Sequence, residues 1–135
     1  MNFLERLQPL GLLVLRLVLG AIMIAHGSTK VFGGMHAFTG VVSGLGIPWW
    51  LAYFAAAAEF GGGILVILGL LTRFVSLCIL IDMLVAIVKV HWKHGFVGEG
   101  NYQFPLALAA IAFSLIFFGG GPIAIDWLWG SKGRR

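Results

Sequence analysis

The 135 residues hold one cysteine, Cys78, and only five acidic residues against nine basic ones. A single cysteine can form neither an internal disulfide nor a CxxC pair, which excludes thiol–disulfide chemistry carried by this chain alone. Cys78 is expected to serve as a small buried hydrophobe. Charged residues make up 10% of the sequence, whereas a soluble domain is about a quarter charged. That shortage excludes a large soluble domain. No dinucleotide, Fe–S or flavin motif occurs, and no internal repeat or low-complexity segment. Gly61-Gly62-Gly63 is no phosphate loop, because no Lys-Ser/Thr follows it. The sequence pI is near 9.7, yet the basic residues are scattered at loop ends and the C-terminus. Basic ends of a membrane protein explain them, and nucleic acid is excluded as a partner.

What the sequence has is apolar: 60% hydrophobic residues and a mean hydropathy of +1.01. A spanning helix needs about 20 apolar residues, and only helices satisfy their own backbone in lipid. The apolar runs predict spans at 10–32, 49–71, 74–92 and 103–119. The expected fold is therefore all-α: a single domain over 1–135, an integral membrane four-helix bundle. A short interfacial segment, Met35 to Ser43, is expected between helices 1 and 2, with Gly33–Gly34, Gly44 and Gly46-Ile47-Pro48 as breakers. Trp49 and Trp50 mark an interface belt, and Asp126, Trp127 and Trp129 a second one. Leu71-Thr72-Arg73 reads as a tight hairpin that makes the second and third helices antiparallel neighbours. The small residues Ala55 to Ala58 and Gly61 to Gly63 suit close approach of a neighbouring helix. Met1 to Gln8 is amphipathic and lacks a small-x-small cleavage site, so the first run is expected to remain a transmembrane helix. Arg6, Arg73, Lys132, Arg134 and Arg135 fall on one side and Lys30, Lys89 and Lys93 on the other. The positive-inside rule then puts both termini in the cytoplasm.

Charges inside the runs carry the functional signal. A carboxylate at membrane depth costs roughly 2.5–3.5 kcal/mol on insertion scales and is normally paired inside a bundle. Glu59 and Asp82 fall near the midplane of their spans. Two acids sharing one low-dielectric site rarely both ionise, so one is expected to hold its proton. One reading is a structural buried charge network of Arg16, Glu59 and Asp82, in which Arg16 neutralises Glu59. A second is a polar cavity formed by His26, Lys30, Glu59 and His91, with Trp49 or Trp50 at its mouth. His26 and Lys30 share a helix face, and as donors above a carboxylate they would grip a carbonyl-bearing amphiphile such as a quinone head group. Haem held by His26 and His91 is a weaker reading, since their heights differ by roughly one helical turn and nothing else marks a haem pocket. No metal site is expected.

An ordered set of motifs resembles the DoxX family of small four-helix bacterial membrane proteins. It comprises Leu15-Arg16-Leu17 with Gly20, then His26-Gly27-Ser28-Thr29-Lys30-Val31-Phe32. Gly44-Leu45-Gly46-Ile47-Pro48, Ala58-Glu59-Phe60-Gly61-Gly62 and Gly69-Leu70-Leu71-Thr72-Arg73 follow. Met83, His91, Gly95-Phe96, Asn101-Tyr102 and Ile125-Asp126 complete it. No one motif is specific; their order is. The family's polar positions map onto Arg16, His26, Lys30, Glu59, Arg73 and His91. The chain departs from the pattern twice: Gln103 stands where the family often has an acid, and Asp82 where it usually has an apolar residue. The resemblance implies a multi-pass protein of the bacterial inner membrane, in contact with the lipid bilayer. It further implies a subunit or quinone-contacting component of a membrane-associated redox system, working with a partner redox protein or as a homo-oligomer. The rival readings are a small-molecule or lipid transport or efflux element that uses the buried carboxylates, and a structural assembly factor for other membrane proteins.

Overall fold

The computed structural model describes residues 2–132, and among these no strand occurs. Arg134 and Arg135 of the basic tail lie outside the described residues. A short helix, α1 (Asn2–Arg6), leads into α2 (Gln8–Thr29), whose Pro9 sits in the first turn, where a missing amide costs nothing. The chain does not leave the helix after this first span. A π-helical turn, Lys30–Gly34, runs directly into α3 (Met35–Gly44). The direction changes at Phe32 and at Gly33, which has φ 128° and ψ −12°, a conformation that glycine adopts without steric cost. The segment between the first two spans is thus helical, and joined to the first by a kink.

Next comes α4 (Leu51–Leu68). It ends on Gly69 at φ 71°, with Gly69 N–H bonded to Val66 O at 3.1 Å and Leu70 N–H to Leu65 O at 2.9 Å. This is the Schellman arrangement, which closes a helix and turns the chain sharply. The hairpin prediction is met there, and α5 (Thr72–Ala86) starts at once. A π-turn, Ile87–His91, and a 3₁₀ turn, Trp92–His94, extend α5. After a loop come α6 (Gln103–Phe118) and α7 (Ile125–Lys132). The stretches Gln8–Gly44, Leu51–Leu68 and Thr72–His94 are long and apolar enough to cross a membrane, while α6 is equally apolar but only 16 residues long.

The helices pack as a bundle in which α2 runs closely along α4 and α5 along α6, with α4 against α5 and α2 against α6. Glycines set the first contact. A Cβ on Gly20 would lie 2.6 Å from the Gly63 carbonyl oxygen, and one on Gly27 would lie 2.5 Å from the Phe60 amide nitrogen. Such backbone approach is how helices gain dispersion energy where lipid supplies no hydrophobic drive between them. Leu19, Met23, Val66, Ile79, Leu108 and Leu115 fill the centre. Val14, Val18, Phe74, Leu77, Phe113 and Phe117 point outward, the apolar exterior that a lipid solvent requires. The bundle has a terminal end, with the N-terminus of α2, the α4–α5 turn and α7, and a distal end with the π-turns.

Candidate functional site

A cavity of about 1040 Å³ opens in the distal half of the bundle, between α2, α3, α4, α5 and α6. Most of its wall is apolar, with Met23, Phe38, Val42, Phe54, Ile81, Phe104 and Leu108 among the lining residues. Polar groups reach it from three helices and their extensions: His26 and Lys30, Glu59, and Asp82 with Lys89 and His91. His26, Lys30, Glu59 and His91, grouped from the sequence, thus line one space.

At its inner wall the Lys30 Nζ donates to Glu59 Oε2 in an ion pair whose side chains are 20% and 7% exposed. The same ammonium lies 4.1 Å from the centroid of the Phe38 ring, a cation–π contact. One side chain therefore ties the end of α2 to α4 and to α3, the helix that roofs the cavity. Asp82 lines the same cavity as Glu59, and its Oδ2 is buried without a hydrogen-bond partner. One ammonium against two carboxyls balances when one carboxyl keeps its proton.

The two histidines share an arrangement. His26 Nδ1 lies 2.9 Å from the Ile22 carbonyl oxygen, and His91 Nδ1 lies 2.8 Å from that of Gly100. A carbonyl can only accept, so Nδ1 carries the proton in both rings and Nε2 is the nitrogen left for a ligand. The His26 ring is also stacked on Phe104, with centroids 5.7 Å apart. This corrects the expectation for His26, whose Nδ1–H is spent on its own helix, while the Lys30 ammonium gives one of its three N–H groups to Glu59.

Arg16 requires a second correction, because it does not pair with Glu59. It is 1% exposed and donates to backbone carbonyls: Nε to Val66 at 3.0 Å, a terminal nitrogen to Ile67 at 2.7 Å, and the other to Gly120 at 3.0 Å and Ile123 at 2.5 Å. These oxygens lie at the last turn of α4 and in the α6–α7 loop, at the terminal end. The buried charge network is therefore split, with Arg16 apart from Glu59 and Asp82. The negative end of α4 and a ring of carbonyls supply what a carboxylate was expected to supply.

Other polar positions serve the frame. Asp126 accepts from the Leu71 and Thr72 amides, each at 2.8 Å, a role beyond the interface anchor read from sequence, and only tertiary structure brings those amides to it. Arg73 lines a separate cavity of about 630 Å³ at the terminal end, together with Thr72 and Asp126. Gln103 donates through Nε2 to Phe96 O at 2.6 Å and so ties down the distal loop. Trp49 and Trp50 are absent from the wall of the distal cavity; they make edge contacts with Tyr53 and Phe54. Cys78, read as a packing residue, lines the cavity. Among the described residues, no group of three His, Cys, Asp or Glu side chains could hold a metal ion.

Comparison with known proteins gives one family and two relatives. The DoxX family model matches residues 11–92. The Bacillus subtilis protein named "Putative oxidoreductase CatD" is 36% identical over 106 residues, 78% of each chain. An uncharacterized protein of Haemophilus influenzae is 34% identical over 134 residues, covering 93% of this chain and 96% of its own. No solved structure gives a significant match.

Proposed function

This chain belongs to the DoxX family, and from that premise we propose that it is a quinone-contacting component of a membrane-associated redox system. The observation that carries this reading is the distal cavity. It joins a large apolar wall to a few convergent polar groups, the usual makeup of a small-molecule site, at the depth where a quinone tail can stay in lipid. Its volume of about 1040 Å³ accommodates a substituted ring with the start of an isoprenoid tail. The Bacillus subtilis relative, whose name carries the word oxidoreductase, adds support. The chain has no electron-carrying motif of its own, so electrons would come from a partner protein.

The proposal places the chain in the bacterial inner membrane with both termini in the cytoplasm. Arg6 and Arg73 lie at the terminal end, with Lys132 in α7. Lys89 and Lys93 lie at the other end, while Lys30 is turned inward onto Glu59 and does not weigh on the topology. A cytoplasm-only fluorescent reporter at the C-terminus should light up, and an active periplasmic phosphatase fusion there would reverse the placement.

The direct test is purification in mild detergent, solvent extraction, and identification of bound quinone by mass spectrometry. Co-purified quinone at a stoichiometric level, lost in the Glu59→Leu variant, is expected. Absence of quinone, together with no binding of added short-tail quinone or quinol, sinks the reading. Asp82, whose buried Oδ2 has no partner in the cavity that also holds Glu59, favours one second reading, proton-coupled transport of a small molecule. Ligand-dependent proton movement in sealed vesicles would select it.

A further inference from the structure

The helices α4 and α5 part company above their shared turn. Near the turn they pack closely: a Cβ on Gly62 would lie 3.2 Å from Val75 Cγ1 and 3.7 Å from Ile79 Cδ1. Ala58, Ala55 and Leu51 continue the Gly62 stripe toward the distal end at helical spacing. There they no longer form a tight seam but line the distal cavity. Across the gap stand Cys78, Ile81 and Val85 of α5. Ile81 is 54% exposed and Phe54, at the α4 edge of the gap, is 66% exposed. Ile81 shares a helix face with Phe74 and Leu77, which point outward. The rim of the cavity is therefore also part of the surface that these two spans present to lipid. Glu59 and Asp82, the chain neighbours of Ala58 and Ile81, stand at the inner end of the gap.

We propose that this gap is a tail slot. A ring-headed amphiphile places its head beside Glu59, Asp82 and Lys30 and passes its apolar tail sideways into the bilayer, between Ala55 and Ala58 on α4 and Ile81 and Val85 on α5. This rests on the reading of the cavity as a quinone site, and it adds the path of the tail and hence the face through which the ligand is exchanged. The walls of the gap carry apolar side chains and the Cys78 thiol, whereas the distal end of the cavity carries Lys89, His91 and Asn101. A tail led out distally would have to pass those polar groups, and one led sideways meets only groups like itself. Lipid is as apolar as the slot, so the tail crosses from one to the other at no cost in desolvation. The alanines matter because a methyl leaves width that a larger side chain would fill. A phospholipid is the wrong occupant, because its charged head group would have to descend to the depth of Glu59, in the middle of α4, where a charge is costly.

The test uses the full chain at a single detergent concentration, so that partition of the tail into micelles cancels between variants. The probes are a fully methylated benzoquinone and the same ring with one methyl replaced by a decyl chain. Full substitution prevents addition of the Cys78 thiol to the ring. Equilibrium dialysis reads both affinities. Ala58→Leu and Val85→Phe narrow the slot from opposite walls. Each is expected to weaken the decyl probe about tenfold, the scale of overpacking by a few methylenes, and to leave the tailless probe within about twofold. Ala57→Leu adds the same bulk to an exposed position of α4 and should change neither. Val85 is 42% exposed, so added bulk there disturbs no packed contact, and a folding defect in Ala58→Leu leaves the test intact. If only the decyl probe binds the parent chain, its loss in the slot variants against none in Ala57→Leu supports the slot. Unchanged decyl affinity in both slot variants, or equal losses for the two probes, overturns the slot while the cavity stands as a quinone site. Failure of the parent chain to bind either probe removes both the slot and the reading beneath it.

Discussion

Arg16 and Asp126 cap opposite sides of one turn. The guanidinium closes the C-terminus of α4 through Val66 O and Ile67 O, and the carboxylate closes the N-terminus of α5 through the Leu71 and Thr72 amides. Each charge lies at the helix end whose dipole favours it, and each comes from a distant part of the chain. Asp126 is further fixed by its own amide, which donates to Gly69 O at 3.0 Å. The effect is to clamp α2 and α7 onto the α4–α5 hairpin. Hydrogen bonds thereby tie the terminal end together, while the cavity and its α3 roof occupy the other end.

Replacing Arg16 with Met should be among the most damaging single changes in the chain. It strands carbonyl oxygens at Ile67, Gly120 and Ile123, and leaves Val66 O with the Gly69 amide as a donor. At roughly 1–3 kcal/mol per unpaired buried acceptor, a loss of about 3 kcal/mol or more is expected. Arg16→Lys should recover only part, because one ammonium cannot span carbonyls on two elements. Unfolding in mixed micelles with rising SDS fraction measures this. Because Arg16 and Glu59 share no partner, Arg16→Met and Glu59→Gln should add within about 0.5 kcal/mol. A larger coupling would restore the direct pair.

Asp126 behaves as a helix cap supplied from outside the helix. Capping losses run to about 0.5–2 kcal/mol, and both carboxylate oxygens are used here. Asp126→Ala is therefore expected to cost about 2 kcal/mol and Asp126→Asn roughly half of that. Hydrogen exchange offers the local check: the Leu71 and Thr72 amides should lose protection in Asp126→Ala. Unchanged protection at both would show that the cap is not holding the turn.

Much of this architecture was legible in the sequence because membrane helices announce themselves by length and hydropathy. The helices α2, α4, α5 and α6 fall inside or close to the four apolar runs, and Gly69 marks the turn between α4 and α5. The grouping of His26, Lys30, Glu59 and His91 was also legible, from depth counted along each helix. Partner choice was not. Depth counted along the helix favours Arg16 over Lys30 as the partner of Glu59, and rotation about the helix axis reverses that choice. Rotation here is set by Gly20, Gly27 and Gly63, which put one face of α2 against α4. A charge pattern also cannot reveal that backbone carbonyls will serve as counter-charges, as they do for Arg16. Nor can it fix an imidazole tautomer, which depends on a carbonyl nearby in space.

The Lys30–Glu59 pair should show the coupling that Arg16 and Glu59 lack. Removing one member of a buried pair leaves the other charge uncompensated, at about 3–5 kcal/mol. Lys30→Met also removes the contact with Phe38 and should loosen α3 over the cavity. Lys30→Met and Glu59→Gln together are expected to be less damaging than the sum of the singles by about 1–3 kcal/mol. The same unfolding titration reads it. Additive single effects would mean that the two charges are satisfied independently.

The glycine contacts between α2 and α4 make a prediction of opposite signs along one helix. Gly27 is buried in α2, and a Cβ there would lie 2.5 Å from the Phe60 amide nitrogen and 2.8 Å from its Cα. Backbone cannot swing aside as a side-chain tip can, so Gly27→Ala must push the helices apart. Overpacking of this kind costs about 1–3 kcal/mol, and here it would also spread the walls that carry Lys30 and Glu59. Gly11, in the same helix, has nothing within 4 Å of its added Cβ. Ala there only removes the entropic penalty of a mid-helix glycine, so Gly11→Ala should be neutral or stabilising by up to about 1 kcal/mol. Both variants are single methyl additions to α2, and the unfolding midpoint in mixed micelles compares them directly. If Gly27→Ala is as well tolerated as Gly11→Ala, the close backbone contact between α2 and α4 does not govern the packing of this bundle.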